Sequence, residues 1–268
     1  MVIDYRISDI VPYINWIYFF HAWGLSGKPE SEQERQKQEA LRMLEEWEDR
    51  YQTHAVVEIV DANSVGDDII AAGTRIPFLR QQKPTTEGMP NLCLADFIRP
   101  LSSGITDKLG IFAATVDAPA VSRNSSDCYQ IMLAQTLADR LAEATAERLH
   151  QEVRTKIWGY APDEQASIDD LLNCRYVGIR PAVGYPSIPD ASINFMIDNI
   201  INMRQIGIRL TESGMMTPHA SVSGLMFAHP QAKYFSIGDI GKDQMNDYAR
   251  RRGLPMEMMK KFLKIKNQ

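Results

Sequence analysis

Residues 175–190 carry the two side chains best suited to recognising a charged small molecule, Arg180 and Tyr185. The stretch contains three prolines and two glycines, a composition that opposes both a helix and a central strand. It therefore predicts a stiff, irregular loop. An arginine guanidinium presents paired donors to a carboxylate, and a tyrosine ring stacks on a flat group or faces a cation. The residues alone leave open a plainer interpretation, in which Arg180 forms a surface ion pair and Tyr185 packs in the core.

The three cysteines, Cys93, Cys128 and Cys174, argue against a zinc or iron–sulfur centre, because no two of them form a C-x-x-C pair. An odd number of widely spaced thiols suits a reducing compartment. We expect all three thiols to be free and buried, and we predict no metal site.

Charge and hydropathy indicate which partners to expect. The net charge of −5 opposes a general affinity for nucleic acid or for an anionic membrane surface. No run of eighteen apolar residues occurs, and charged residues stand near the N-terminus where a signal peptide has an apolar segment. We therefore expect a cytoplasmic protein whose partners are proteins or small molecules, with no nucleic acid and no membrane.

Apolar runs separated by turn residues predict the elements that position the loop. Residues 53–61 and 69–78 have the pattern of an antiparallel hairpin, and residues 109–116 that of a buried strand. The other predicted elements are helices over 31–51, 167–173 and 191–203, strands over 206–210, 221–227 and 234–237, and terminal helices over 243–252 and 256–265. We expect one domain, residues 1–268, with the terminal helix pair in 239–268.

Residues 128–160 have the clearest long helical pattern, because leucine, valine and isoleucine recur at intervals of four or eight residues. We expect this helix to cross the middle of the fold. Asp139 and Glu143 lie one turn apart on another face, with Arg140 and Arg148 nearby. Ordinary ion pairing on a solvated face explains these four charges as well as a binding role does.

Several strings, in their order along the chain, resemble the S-adenosylmethionine-binding activation domain of cobalamin-dependent methionine synthase. The most specific is Gly-Ile-Arg-Pro-Ala-Val-Gly-Tyr-Pro at 178–186. The others are Phe-Phe-His-Ala-Trp-Gly-Leu-Ser-Gly-Lys at 19–28, Ala-Asp-Arg-Leu-Ala-Glu at 138–143, Ala-Ser-Val-Ser-Gly at 220–224 and His-Pro-Gln-Ala-Lys-Tyr-Phe at 229–235. The matches span nearly the whole chain.

The resemblance implies the shape of the sheet, whereas periodicity supports only a mixture of strands and helices. We expect an α+β fold in which a twisted, largely antiparallel sheet has helices packed at its ends. The proline-rich loop is expected on the concave side of that sheet.

The resemblance also implies a site for S-adenosylmethionine, which needs a cation for its carboxylate, an acceptor for its ammonium and neutral surroundings for adenine. Arg180 is the expected carboxylate ligand, because an arginine–carboxylate pair is directional and charge-assisted. The other expected contacts are the backbone at Ala182 and Gly184, the rings of Tyr185 and Tyr234, and Asn15 and Phe235, with Asp139 and Glu143 as further candidates. Tyr185 is also a possible corrin contact, and the alternative for it is a buried structural tyrosine.

Two positions depart from the pattern of the family. Asn15 stands where an aspartate is common, and Phe235 stands where a second tyrosine is common. An asparagine carbonyl still accepts a hydrogen bond but lacks the charge that strengthens it. We therefore expect a lower affinity or a compensating carboxylate, for which Asp139 and Glu143 are candidates.

The function implied by the resemblance is reactivation of methionine synthase, a methyltransferase (5-methyltetrahydrofolate–homocysteine methyltransferase) of methionine biosynthesis. The domain binds S-adenosylmethionine and presents its methyl group to cob(I)alamin, after a flavodoxin-like or ferredoxin-like reductant has reduced inactive cob(II)alamin. None of the five histidines lies in the Asp-x-His-x-x-Gly pattern of a corrinoid-binding module. Cobalamin must therefore come from a partner chain or module, and no catalytic side chain is expected here. Two alternatives stay open, a non-catalytic S-adenosylmethionine-binding regulatory module and a scaffold whose loop is only structural.

Overall fold

The computed structural model describes residues 1–84, 86–117 and 127–263. Its α-helices are α1 (Ile7–Ile10), α2 (Trp16–Ala22), α3 (Glu30–Trp47), α4 (Cys128–Glu152), α5 (Ile168–Leu172), α6 (Ile193–Ile201), α7 (Lys242–Arg252) and α8 (Met256–Phe262). Its strands are β1 (Val2–Arg6), β2 (Gln52–Val65), β3 (Asp68–Ala71), β4 (Thr74–Pro77), β5 (Asp107–Val116), β6 (Arg209–Leu210), β7 (Met216–Thr217) and β8 (Ser221–Met226). Short 3-10 turns connect several elements, and a π-helix, Val153–Ile157, continues α4.

A six-stranded sheet forms the centre of the fold, in the order β4-β3-β2-β5-β8, with β1 also pairing with β2. Every pair of neighbouring strands in it is antiparallel. β2 and β5 pair along ten residues and join the two halves of the chain, whereas β6 and β7 form a separate two-stranded ribbon. The antiparallel α+β architecture expected from the sequence is confirmed.

Alternation along β2 and β5 divides the apolar residues between two cores. Val56 and Ile111 face a core shared with α6, α7 and α8, whereas Val57 and Phe112 face a core shared with α1, α3 and α4. Successive strand residues point to opposite faces, so a central strand with helices on both sides is apolar throughout. This explains why residues 109–116 are almost entirely apolar, with Thr115 as the polar exception.

Helix α4 packs its leucine stripe against the sheet, as its periodicity predicts. Leu133, Leu137, Leu141 and Leu149 are fully buried. Asp127 caps the helix by accepting the N–H of Tyr129. The helix thereby presents one fixed row of polar side chains to the proline-rich loop.

Some predicted elements differ in the structure. The turn between the two predicted hairpin segments, 53–61 and 69–78, is shorter than expected, because β2 continues to Val65 before its hairpin with β3. The strand predicted over 234–237 is wrong: those residues form isolated hydrogen bonds and no ladder, with the Ile237 N–H donating to the Pro186 carbonyl at 3.0 Å. The expectation of three buried thiols is also wrong, because Cys128 and Cys174 are exposed and only Cys93 is buried.

Helix α7 is fixed to the body by a buried polar network. The Asp190 carboxylate accepts from the Tyr248 hydroxyl at 2.8 Å and from Arg252 Nε at 3.2 Å. Because both charged groups are almost fully buried, this contact ties the C-terminal helices to the loop region. Residues 264–268, the end of the predicted terminal helix pair, lie outside the described part of the chain. In that described part, no helix is long and apolar enough to cross a membrane.

Candidate functional site

The proline-rich loop is joined to the outer edge of β8 by backbone contacts on both sides of Arg180. Ile179 pairs with Phe227, and Ala182 pairs with Gly224, each as a single antiparallel bridge. Gly178 precedes these bridges with φ +86°, and a Cβ there would lie 2.3 Å from the Phe227 carbonyl oxygen. Only glycine allows this close approach. Gly178 therefore lets the loop pack against Phe227 two residues before Arg180.

Arg180 extends from the loop to helix α4, where its Nη2 lies 2.5 Å from Glu147 Oε2. The Glu147 side chain is 6% exposed and that of Arg180 is 19% exposed. Burial alone would lower the pKa of the Arg180 guanidinium, but the Glu147 carboxylate holds that pKa well above its ordinary value. The ion pair considered from the sequence therefore exists, but it is largely buried and is not a surface pair.

The guanidinium of Arg180 keeps unused hydrogen-bonding capacity. Within the described residues, its hydrogen bond to Glu147 is the only one that it makes, and its Nε is buried with no partner. A guanidinium has five N–H donors in a fixed plane. A further anion on the exposed part of this group would therefore find donors that are not yet paired.

Two tyrosines flank Arg180. The Arg180 backbone N–H donates to the Tyr234 hydroxyl oxygen at 3.0 Å, and the Tyr185 hydroxyl donates to Glu143 Oε1 at 2.6 Å. Both rings are nearly half exposed, so the alternative of a buried structural Tyr185 is wrong. Burial, followed by the charge of Glu143, raises the pKa of Tyr185, and this phenol stays neutral.

In the turn between Arg180 and Tyr185, some backbone N–H and carbonyl groups are hydrogen-bonded and others are not, within the described residues. Gly184 donates its N–H to the Ile188 carbonyl at 2.7 Å, and the Ala182 carbonyl accepts from the Tyr185 N–H at 3.3 Å. Within the described residues, the Ala182 N–H and the Gly184 carbonyl have no hydrogen-bond partner. A Cβ built at Gly184 would meet nothing within 4 Å, so open space adjoins this turn.

The remaining predicted residues have partners of their own. The side-chain oxygen of Asn15 caps α2 by accepting the Ile17 N–H at 3.1 Å. Asp139 Oδ1 lies 3.2 Å from His219 Nδ1, and Glu143 forms a salt bridge with Arg140 at 3.2 Å, so both carboxylates have a partner within the protein.

Phe235 does not join the group around Arg180. It is 7% exposed and packs in the core, with its ring centroid 6.4 Å from that of Phe97. Its backbone carbonyl accepts a hydrogen bond from the Ser187 hydroxyl. Phe235 therefore supports the loop from behind, and its missing hydroxyl removes nothing from the exposed face.

A buried polar row on α4 and the π-helix was missed from the sequence. Glu147, His150 and Arg154 are all almost fully buried. Arg154 forms two hydrogen bonds of 2.7 Å to Glu164 and lies 3.9 Å from the Tyr176 ring centroid. Their i, i+3, i+7 spacing was the available signal, because it puts three polar side chains on one face of the helix.

His150 in this row is neutral. Burial, followed by the charges of Arg154 and Arg180, holds its pKa well below the ordinary value. Within the described residues, no three His, Cys, Asp or Glu side chains are grouped so as to hold a metal ion. In the part of the chain that the structure describes, Glu147 is the one carboxylate that pairs with Arg180.

The fold and the geometry of this loop define a class of protein, an antiparallel α+β domain with unpaired loop donors that can take a small anionic group. A guanidinium with unpaired donors, two half-exposed aromatic rings and an open glycine turn lie together, and none of them is an activated nucleophile.

Comparison with known proteins gives the family. Residues 6–253 match the family described as vitamin B12-dependent methionine synthase, activation domain. The chain belongs to this family. A solved structure, that of the MetH reactivation domain bound to AdoHcy, superposes with a TM-score of 0.92 at 37% sequence identity. The alignment covers 98% of this chain and 89% of that one.

Proposed function

We propose that this domain binds S-adenosylmethionine at the proline-rich loop and presents its methyl group to cob(I)alamin on a corrinoid-binding module of methionine synthase. The observation that carries the proposal is the Arg180 guanidinium, fixed between the loop and α4 with donors still unpaired. The similar reactivation domain was solved with AdoHcy, the demethylated form of this donor.

The amino-acid tail of the ligand fits the charges around Arg180. Its carboxylate would pair with the exposed part of the guanidinium, and such charge-assisted bonds are about twice as strong as neutral ones. Its ammonium needs an acceptor, which Asn15, Asp139 or Glu143 would supply. Since Asn15 is neutral and already caps α2, the two carboxylates are the stronger acceptors.

The adenosine part of the ligand fits the turn at Gly184. The Ala182 N–H donor and the Gly184 carbonyl acceptor match the hydrogen-bonding edge of an adenine, and the absent Cβ leaves room for its approach. Tyr185 and Tyr234 offer ring faces to the sulfonium or ribose, and an aromatic face attracts a cation. We propose Tyr185, the more exposed ring, as the residue that also meets the corrin.

The contribution of this chain to the reaction is positioning. Methyl transfer from a sulfonium is an in-line displacement, and holding the donor in line with its acceptor replaces an encounter in solution. We propose no catalytic side chain here, so the domain acts as a methyltransferase component that depends on a corrinoid-bearing partner. We further propose that residues 1–268 form one domain, that a flavodoxin-like or ferredoxin-like protein supplies the electron, and that the domain works in the cytoplasm.

The test uses a corrinoid-bearing methionine synthase that lacks its own activation region. This protein is mixed with the present chain, a chemical reductant and S-adenosylmethionine labelled in its methyl group. The expected result is label on cobalamin that depends on the chain and is strongly reduced by Arg180→Ala. Binding of the donor without any transfer of label would instead support the non-catalytic regulatory module, and absence of binding would leave only a structural loop.

A further inference from the structure

We propose that Glu147 is a positioning residue that holds the Arg180 guanidinium in the orientation that receives the ligand carboxylate. This inference rests on the proposed function, and it assigns a role to a residue that belongs to none of the motifs shared with the family.

The Glu147 carboxylate is only partly paired within the described residues. Its Oε2 accepts from Arg180, but its Oε1 is buried and has no hydrogen-bond partner. A buried carboxylate that is only half satisfied is a poor way to stabilise a fold, since desolvation offsets most of the attraction in a buried ion pair. An apolar residue at this place in α4 would pack without that penalty.

Helix α4 holds Glu147 in a fixed position. Glu147 lies in the interior of a 25-residue helix whose neighbouring residues Thr145, Ala146 and Leu149 are fully buried. A free arginine side chain loses rotamer entropy when a ligand fixes it. Since Glu147 already fixes the guanidinium, the ligand meets a preorganised donor and less ordering is needed.

The other two residues of the buried polar row, His150 and Arg154, leave Glu147 to Arg180. Arg154 bonds to Glu164 through Nε and Nη2, and His150 is neutral. Within the described residues, neither of them bonds to Glu147. The pair of Arg180 and Glu147 carries no net charge. The ligand carboxylate is therefore attracted by correctly aimed donors rather than by excess positive charge, and its binding depends on the geometry that Glu147 sets.

Two ligands separate positioning from a general structural role. S-adenosylhomocysteine carries the carboxylate, whereas 5′-methylthioadenosine has the same adenosine and thioether but no amino-acid tail. Calorimetric titration of Glu147→Ala is expected to show about a tenfold loss of affinity for S-adenosylhomocysteine. Affinity for 5′-methylthioadenosine should stay within about twofold of wild type. Glu147→Gln keeps an acceptor oxygen and is expected to lose less than Glu147→Ala.

Glu152→Ala is the matched control, because Glu152 lies on the same helix, has a side chain only 18% exposed and pairs with Arg148 instead of Arg180. It should leave both affinities unchanged. Equal losses for the two ligands, no loss, or tighter binding of S-adenosylhomocysteine in Glu147→Ala would overturn the positioning role. If Glu147→Ala does not fold, the same comparison is made with Glu147→Gln. A wild-type chain that binds neither ligand would overturn the proposed function, and this inference with it.

Discussion

Replacing Arg180 by methionine tests the buried ion pair on which the site is built. Methionine keeps most of the volume of the side chain but removes its charge and all its donors. The Glu147 carboxylate would then remain 6% exposed and without a cation. A charge left in this position must either stay desolvated or force α4 and the loop apart.

The expected loss of stability follows from the burial of both partners. Removing one member of a buried ion pair destabilises a protein by about 3–5 kcal/mol, because it leaves an uncompensated charge. For a domain of this size, 1 kcal/mol corresponds to about 2 °C, so the Tm should fall by about 6–10 °C. Adding Glu147→Gln to Arg180→Met removes the orphaned charge and should restore most of the loss.

The assay is denaturant unfolding of the wild type, the two single variants and the double variant, analysed as a thermodynamic cycle. A coupling free energy well above 1 kcal/mol is expected. If Arg180→Met loses less than about 1 kcal/mol, the contact behaves as an exposed surface pair. In that case Glu147 would not hold the Arg180 guanidinium in place, and the preorganisation would be refuted.

Gly178→Ala should destabilise the chain by more than 2 kcal/mol, since it combines positive-φ strain of about 1 kcal/mol with a backbone clash, whereas Gly184→Ala meets only the strain. Equal unfolding free energies would contradict this, and Gly184→Ala should also weaken S-adenosylhomocysteine binding. For His54, burial lowers the pKa, but hydrogen bonds to the carboxylates of Asp4 and Asp117 raise it above the ordinary value. This stabilisation is complete below about pH 6.5 and is lost as pH rises through the raised pKa. His54→Gln should lack that loss between pH 6 and pH 9, and parallel stability curves would count against the interpretation.

Elements with a strong period were predictable from the sequence because one local pattern determines them. The four-residue leucine repeat marked α4, and the predominantly apolar run of 109–116 marked β5. The strand expected over 234–237 failed for a tertiary reason. Its N–H groups bond singly to the proline-rich loop, where Phe235 meets Ser187 and Ile237 meets Pro186, so no ladder forms.

In the candidate site, too, the contacts between distant segments could not be predicted from local patterns. The composition of residues 175–190 correctly indicated an irregular loop, and Tyr185 is exposed on it, whereas most of Arg180 is buried. The partner of Arg180 lies 33 residues earlier, in a buried polar row that was missed from the sequence, so only the fold brings Glu147 to it. The burial of Phe235 likewise depends on the packing of Phe97 against it, a contact between distant segments.

The most direct test of the central claim is a crystal structure of this chain grown with S-adenosylhomocysteine. We expect the ligand carboxylate to lie within hydrogen-bonding distance of the Arg180 guanidinium, with Glu147 still bonded to Nη2. The adenine should lie beside Gly184. A ligand bound elsewhere, or one whose carboxylate leaves Arg180 paired with Glu147 alone, would contradict this expectation.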